Sequence, residues 1–180
     1  MTTIYYTAST LDGFIASPEH SLDWLFPNDI DQSGPMNYGD FIAGVGAIVM
    51  GSHTYEWIRD HTGGTWDYAQ PTWVFTTRPL EVFGGGDVRF TRADVSHVHT
   101  DLVAAAAGKD VWVCGGGELA GQFADAGLLD EVWVQYAPVT LGAGSPLLPR
   151  RLDLAVLDVA RNRDFACTRY AVGRMGQSAT

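Results

Sequence analysis

Three consecutive glycines stand between an apolar run and a segment with helical spacing. The order Val111-Trp112-Val113-Cys114-Gly115-Gly116-Gly117-Glu118-Leu119 is typical of a buried strand that turns directly into a helix. Glycines leave the backbone N–H groups accessible at the positive end of the helix macrodipole, so the turn suits a pyrophosphate. The G-x-G-x-x-A spacing that ends at Ala120 is weak support by itself, because a tight strand-to-helix turn uses the same residues.

A second turn of the same kind ends the apolar run Ile48-Val49-Met50. Gly51 is followed by Ser52-His53-Thr54, whose N–H and hydroxyl groups can donate to an anion, and Ser52 is a good helix N-cap. Two such helix starts could hold two parts of one dinucleotide. An ordinary capped helix explains the same residues, because Glu56 lies close to capping-box spacing.

A third candidate is Thr76-Thr77-Arg78, which ends another apolar run. The guanidinium of Arg78 can form two hydrogen bonds to a phosphate, and the two threonine hydroxyls can donate beside it. A solvated surface arginine is the alternative interpretation.

The elements that must position these turns alternate between short apolar runs and helical segments. This alternation favours an α/β domain with a buried, largely parallel sheet. The two last apolar segments, joined by a polar turn at 161–164, predict an antiparallel hairpin, so the sheet should be mixed. Strands are predicted at residues 4–8, 47–50, 71–76, 88–91, 111–114, 131–138, 152–160 and 165–172, and helices near 38–45, 52–60, 98–106 and 117–124, with an irregular stretch at 9–31.

The charge balance excludes several classes of partner. The 180 residues include 21 acidic and 11 basic side chains, a formal net charge of −10, so neither nucleic acid nor an anionic membrane surface is expected to bind. A small phosphorylated ligand stays open, because a few local donors can bind it. The chain is long enough for a buried core, and we expect one domain over residues 1–173 followed by a flexible tail, 174–180.

Cysteine and histidine usage shows no metal or disulfide pattern. Cys114 and Cys167 form no CxxC pair, and His97 and His99 have no third ligand at zinc-site spacing. In its apolar run, Cys114 is expected to be a small hydrophobic residue and not a nucleophile. The sequence shows neither a signal segment nor a run of about 18 apolar residues. We therefore expect a cytoplasmic protein without a metal centre.

The order of these motifs resembles the dihydrofolate reductase fold. More closely, the chain is similar to the reductase domain of the bifunctional riboflavin-biosynthesis deaminase-reductases and to their stand-alone bacterial relatives. Three further segments carry the similarity, which runs from Ile4 to about Pro149: Ser9-Thr10-Leu11-Asp12-Gly13-Phe14-Ile15-Ala16, Gly127-Leu128-Leu129-Asp130-Glu131-Val132 and Pro138-Val139-Thr140-Leu141-Gly142-Ala143-Gly144.

This resemblance implies a three-layer α/β/α fold, in which a mixed, mostly parallel sheet of about eight strands ends in a C-terminal antiparallel hairpin. It also implies NADPH, bound across the strand ends. Ala8 would lie near the nicotinamide, and Thr76, Thr77 and Arg78 would surround the 2'-phosphate. The remaining cofactor residues would contact the phosphates from the two helix starts: Gly51, Ser52, His53, Thr54, Gly115, Gly116, Gly117, Glu118 and Leu119.

Two positions depart from the pattern of the riboflavin enzymes. Ser52 stands where that family often has an arginine for the 2'-phosphate, so Arg78 would act alone there, and NADPH over NADH is a preference only. Phe14 stands where lysine or arginine is common in the segment after the first predicted strand, residues 9–16, here called the first loop. The substrate pocket should therefore be more aromatic and less suited to a phosphate, and we expect it to include Ser9, Gly13, Phe14, Trp24 and Tyr55.

The resemblance also leaves the proton donor open. Asp31 is nearest in position to the pterin-binding acid of dihydrofolate reductases, Asp12 is the other candidate, and Asp23 is an alternative. We expect an NADPH-dependent reductase, active as a homodimer on a small heterocyclic acceptor of the 5-amino-6-(5-phosphoribosylamino)uracil type or related to it. The alternatives are a nucleotide-binding module without efficient catalysis and a divergent dihydrofolate reductase.

Overall fold

A single eight-stranded sheet forms the centre of the protein in a computed structural model, which describes residues 1–173. The predicted tail, 174–180, lies outside the described residues. The strands are β1 (Thr3–Thr10), β2 (Phe14–Ala16), β3 (Val45–Gly51), β4 (Thr72–Phe75), β5 (Val88–Thr91), β6 (Asp110–Gly115), β7 (Glu131–Ala137), β8 (Ser145–Pro146), β9 (Leu154–Asn162) and β10 (Phe165–Val172). The helices are α1 (Tyr38–Gly44), α2 (Ser52–His61), α3 (Val95–Ala106) and α4 (Gly117–Asp125).

The strands of the main sheet follow the order β5-β4-β3-β6-β1-β7-β10-β9. All neighbours from β5 to β7 are parallel, whereas β10 is antiparallel to both β7 and β9. The carboxyl ends of six parallel strands therefore meet at one edge, and the C-terminal hairpin closes the far side. This confirms the predicted mixed sheet with its hairpin.

Two apolar cores cover the two faces of this sheet. On one face, the strand residues Tyr5, Val49 and Val113 pack against the residues of α3 and α4, such as Leu102 and Phe123. On the other face, their alternate neighbours pack against α1 and α2, as the core made by Tyr6, Met50, Trp112, Phe41 and Ile58 shows. Successive side chains of a strand point to opposite faces of the sheet. Strands whose consecutive residues are all apolar therefore make both faces apolar, and helices must cover both. The result is the predicted three-layer α/β/α architecture.

The structure corrects three local details of the sequence interpretation. Residues Phe14–Ala16, expected to be irregular, form β2 and pair with β8 in a separate two-stranded ladder. The hairpin turn is shorter than predicted, because β9 continues to Asn162. The N-cap of α2 is Gly51, not Ser52, which is the first helical residue and forms no side-chain cap.

Neither a membrane-spanning helix nor a metal-binding cluster is found in the part of the chain that the structure describes. None of the four helices is both long enough and apolar enough to cross a bilayer. Likewise, residues 1–173 contain no group of three or more His, Cys, Asp or Glu side chains arranged to hold a metal ion.

Candidate functional site

A cleft of about 880 Å³ lies along the carboxyl ends of the parallel strands. Its lining includes residues from the ends of β1, β6, β3, β4 and β5, for example Thr7, Cys114, Gly51, Phe75 and Thr91. Neighbouring strands lie about 4.8 Å apart, so five strand ends span about 19 Å. The carboxyl edge of a parallel sheet is the usual ligand site in open α/β folds, and this length suits an extended ligand such as a dinucleotide.

The sheet order brings most of the predicted cofactor residues together. The register sets Gly51 opposite Phe75 on β4 and Met50 opposite Gly115 on β6, so the three predicted turns leave adjacent strands at one level. Eleven of the thirteen residues therefore line the same cleft: Gly51, Ser52, His53, Thr54, Thr76, Thr77, Gly115, Gly116, Gly117, Glu118 and Leu119.

The start of α4 is held in place by a segment that follows β8, here called the strap and comprising residues 147–150. A side chain on Gly117 would place its Cβ 2.3 Å from the carbonyl oxygens of both Pro146 and Leu147. The buried Tyr5 hydroxyl donates to the Leu147 carbonyl at 3.0 Å, and burial raises the pKa of Tyr5 well above its usual range, so it stays a neutral donor. Only glycine allows the strap to approach the helix this closely.

Glu118 and Arg150 form an ion pair at the edge of the cleft. Arg150 donates to the Glu118 carboxylate at 2.7 and 3.1 Å and to Asp125 at 2.7 Å, which fastens the strap to both ends of α4. The hydrogen bonds from Arg150 lower the pKa of Glu118. Because Arg150 is shared with Asp125, it compensates the negative charge of Glu118 only in part, which still reduces the repulsion of a phosphate near the helix start.

Arg78 occupies a different environment from the one expected. Its guanidinium donates to the two Glu56 carboxylate oxygens at 2.9 and 2.6 Å and to the Ser52 hydroxyl at 2.9 Å. It lies in a small adjoining depression and does not line the main cleft. This corrects the expectation of an arginine that binds a phosphate alone, because a carboxylate already neutralises its charge. Sequence spacing could not show that α2 brings Glu56 to this position.

Ala8 also lies outside the cleft lining, although β1 contributes to it. Alternate residues of a strand point to opposite faces, and the preceding residue, Thr7, lines the cleft in its place. The predicted strand was therefore correct, but the residue that faces the cleft differs by one position.

Neither candidate acid lies in the cleft. Asp12 accepts hydrogen bonds from the Thr10 hydroxyl at 2.5 Å and the Gly142 N–H at 2.7 Å, so it ties the first loop to residues 141–142. Asp31 lies beside the β9–β10 turn, where it accepts from Ser33 and its N–H donates to Asn162. The bond from Thr10 and the N–H groups of Gly142 and Leu141 lower the pKa of Asp12, and the bonds from Ser33 lower the pKa of Asp31. Asp12 and Asp31 therefore lie away from the place where a proton donor to a ligand in the cleft is needed, and Asp23 does not line the cleft either.

None of the five predicted substrate-pocket residues lines the cleft. Tyr55 is completely buried beneath α2 and donates to the Glu81 carbonyl at 2.7 Å. Trp24 packs on a third core around Phe165 and Cys167. Ser9 is buried and donates to backbone carbonyls of the first loop, whereas Gly13 forms the turn before β2 with φ +85°, and Phe14 is the first residue of that strand. Tyr55 and Trp24 therefore belong to the apolar cores, and Ser9, Gly13 and Phe14 shape the segment between β1 and β2.

Other residues that the sequence analysis did not single out line the cleft. At the β1 end they include Ile15, His20, Leu22 and Trp57, and at the β5 end Arg92. The ring of His20 stacks on that of His53 with centroids 4.9 Å apart, which links the segment after β2 to the start of α2. No local sequence pattern marks Ile15, His20 and Leu22 as cleft residues, because they reach the cleft through the pairing of β2 with the distant β8.

Cys114 lies at the bottom of the cleft, at the end of β6. Burial raises the pKa of its thiol to about 12. Both Cys114 and Cys167 are free thiols. A thiol that stays protonated at neutral pH is a poor nucleophile, which agrees with the expectation that Cys114 acts as a small hydrophobic residue.

Comparison with known proteins identifies relatives over most of the chain. The RibD C-terminal domain family matches residues 59–171. The Bacillus subtilis (strain 168) protein YwjB, described as uncharacterized, is 30% identical over 169 residues, which cover 91% of each chain. A second uncharacterized protein of that organism, YyaP, is 26% identical over 165 residues and 84% of each chain.

Solved structures share the fold over nearly the whole length. A Shewanella sp. PV-4 protein whose name refers to riboflavin biosynthesis superposes with a TM-score of 0.82 at 26% identity, covering 97% of this chain and 100% of the other. The Thermotoga maritima deaminase/5-amino-6-(5-phosphoribosylamino)uracil reductase gives 0.65 at 17% identity, over 96% of this chain and 56% of that longer one. Enterococcus faecalis dihydrofolate reductase complexed with NADP(H) gives 0.58 at 16% identity, over 96% and 97%.

Proposed function

Because this chain belongs to the RibD C-terminal domain family, we propose that it is an NADPH-dependent reductase that transfers a hydride to a small heterocyclic acceptor. One observation carries the proposal: two glycine turns, each followed by a helix, leave the adjacent strands β3 and β6 at the middle of a cleft that spans five strand ends. Both turns direct backbone N–H groups and positive helix ends toward the same place, which suits a pyrophosphate.

The residues of the cleft fit the dinucleotide in chemistry as well as in length. Gly51 leaves space beside the Gly115 carbonyl and the Gly116 N–H, which a Cβ would meet at 3.8 and 4.0 Å. Ser52, Thr54 and the N–H groups at the start of α4 supply donors for the phosphates. With the pyrophosphate held at β3 and β6, the residues at the ends of β4 and β5 would hold one half of the cofactor and those at the end of β1 the other.

The acceptor would bind at the β1 end of the cleft. Ile15, Leu22 and Trp57 make this end apolar and aromatic, and among the described residues of the cleft lining the one arginine, Arg92, lies at the opposite end. A flat heterocycle fits this environment, whereas a phosphate on the acceptor finds no lysine or arginine beside it in that lining. NADPH supplies the hydride when bound, and the protein residues hold the two reactants in contact and exclude water.

Cofactor binding and turnover test this proposal separately. We expect NADPH to quench tryptophan fluorescence saturably, because Trp57 lines the cleft, and we expect bound NADPH to be oxidised by at least one acceptor in a panel of pyrimidines, pterins and quinones. Stopped-flow absorbance measures the oxidation. Binding without any oxidation would favour a nucleotide-binding module, turnover of dihydrofolate alone would favour a dihydrofolate reductase, and failure to bind NADPH or NADH would overturn the proposal.

We also propose that two copies associate through β9, the edge strand on the hairpin side of the sheet. Val156 and Val159 are 64% and 63% exposed, and Leu154 and Leu157 are also exposed beside them. An unpaired strand edge can pair with another strand, and antiparallel pairing of two identical edges around a two-fold axis is self-complementary. The same two-fold pairing would cover the exposed valines of both copies.

Light scattering after size exclusion should show a dimer for the wild type and a monomer for Val156→Lys combined with Val159→Lys. The lysines of the two copies would repel each other, and burying their charges in the interface would cost free energy that no new contact offsets. Leu11→Lys, at a side chain that is 70% exposed in the first loop, is the matched control and should remain dimeric. A monomeric wild type, or a dimer that survives both lysines, would contradict this assembly.

A further inference from the structure

The described part of the chain places two arginines at the β4–β5 end of the cleft, and they differ in how their charge is balanced. Arg78 is held by the Glu56 carboxylate at 2.6 Å, so the pair contributes no net charge. Arg92 follows β5 directly and lines both the main cleft and the adjoining depression. Within residues 1–173, no carboxylate lies within 4.0 Å of the Arg92 guanidinium.

The backbone fixes the position of Arg92. Its Nη2 donates to the Thr77 carbonyl at 2.8 Å, which holds the guanidinium across the gap between the ends of β4 and β5. The nearest acid in the sequence, Asp94, is occupied as the N-cap of α3, where it accepts from the His97 N–H at 3.0 Å. The remaining donors of Arg92 are therefore available to a ligand.

Resting on the proposed function, we propose that Arg92 binds the 2'-phosphate of NADPH and is the residue that makes the site prefer NADPH to NADH. The glycine turns at β3 and β6 would hold the pyrophosphate near the middle of the cleft. Because the β1 end is apolar and Arg92 stands at the opposite end, we assign the phosphorylated adenosine ribose to the ends of β4 and β5. An arginine fork binds phosphate oxygens through charge-assisted hydrogen bonds. In a protein with a net charge of −10, an uncompensated guanidinium at this end selects for the cofactor with the additional phosphate.

Arg78 has a different part in this arrangement. Its bonds to Glu56 and Ser52 join the end of β4 to the first turn of α2. It thereby positions the helix start and the Ser52 hydroxyl instead of contributing a free charge. Removing Arg78 alone would leave Glu56 as an unpaired carboxylate beside the ligand, so a fair test of its role removes both charges together.

Calorimetric titration of NADPH and NADH into the wild type and four variants distinguishes the roles of the two arginines. We expect Arg92→Ala to weaken NADPH binding about 10- to 100-fold, the range of a charge-assisted hydrogen bond, and to leave NADH binding within about twofold. Arg92→Lys should fall between the wild type and Arg92→Ala for NADPH. The double variant Arg78→Ala, Glu56→Gln should keep the wild-type ratio of NADPH to NADH affinity.

Arg151→Ala is the matched control for net charge. Arg151 is 92% exposed at its side chain, so its removal changes the total charge as Arg92→Ala does without altering the cleft. The Arg92 assignment is overturned if the wild type binds both cofactors equally, if Arg92→Ala weakens both equally, or if the preference is lost in the Arg78/Glu56 double variant but kept in Arg92→Ala. Each of these results leaves the proposal of a nicotinamide cofactor intact. A wild type that binds neither NADPH nor NADH would overturn the proposed function as well.

Discussion

Gly117→Ala is expected to lower the free energy of unfolding by about 3 kcal/mol, because the new Cβ overlaps two backbone oxygens that cannot rotate away. Those oxygens, on Pro146 and Leu147, lie 2.3 Å from the Cβ position. Either α4 or the strap has to shift, and a shift of the strap stretches the bond from the buried Tyr5 hydroxyl. For a chain of this size the melting temperature should fall by about 6–12 °C, which calorimetry or circular dichroism would detect.

Gly44→Ala is the control for this substitution. A Cβ on Gly44 meets no atom within 4 Å, so the same methyl group should leave the melting temperature unchanged or slightly raised. Gly117→Ala with wild-type stability would mean that the strap is free to move away from α4. The close contact between the strap and α4 would then contribute nothing to the free energy of unfolding.

Gly51→Val is expected to abolish cofactor binding while the protein stays folded. Gly51 has an extended backbone, with φ −84° and ψ 165°, which valine adopts easily, and its Cβ would make only ordinary contacts with Gly115 and Gly116. The branches of the side chain then occupy the floor of the cleft at the proposed pyrophosphate site. Affinity for NADPH and for NADH should fall by more than about 100-fold, as expected for steric exclusion of a central group.

Titrations of Gly51→Val and Gly44→Val under identical conditions separate this effect from a general loss of stability. Gly44 lies outside the cleft, so its valine variant should bind as the wild type does. Equal loss of NADPH and NADH also distinguishes Gly51→Val from Arg92→Ala, which should affect NADPH alone. Normal binding by Gly51→Val would place the pyrophosphate away from the β3–β6 turns and would require a different orientation of the cofactor.

The parts of the site that the sequence predicted are those determined by local patterns. Apolar runs that end in glycine located the turns at Gly51 and Gly115, and the parallel sheet then brought the ends of those strands to one edge. When parallel strands are each followed by a helix, the turns and helix starts that can bind a ligand all lie at the carboxyl ends of the strands. The prediction of the cofactor cleft therefore needed no knowledge of side-chain contacts between distant segments.

The parts that the sequence did not predict depend on those distant contacts. Glu56 and Arg78 are far apart in the chain, and their pairing follows from how α2 packs beside β4, which no local pattern reports. The same holds for Asp12, whose carboxylate caps residues 141–142. Tyr55 is expected in an aromatic pocket, but the helical periodicity of α2 directs it to the core beside Ile58.

Assembly of the cleft depends on the folding of most of the chain. The register that sets Met50 opposite Gly115 joins β3 to β6 across four intervening elements, α2, β4, β5 and α3. Such non-local parallel pairings form slowly because the intervening chain must close first. The proposed nucleotide site therefore cannot form in a partly folded chain that lacks β6. A ligand that binds there stabilises the whole sheet by mass action, by about 2.7 kcal/mol at one hundred times its dissociation constant. If NADPH is that ligand, the cellular abundance of the folded protein would rise with the supply of NADPH.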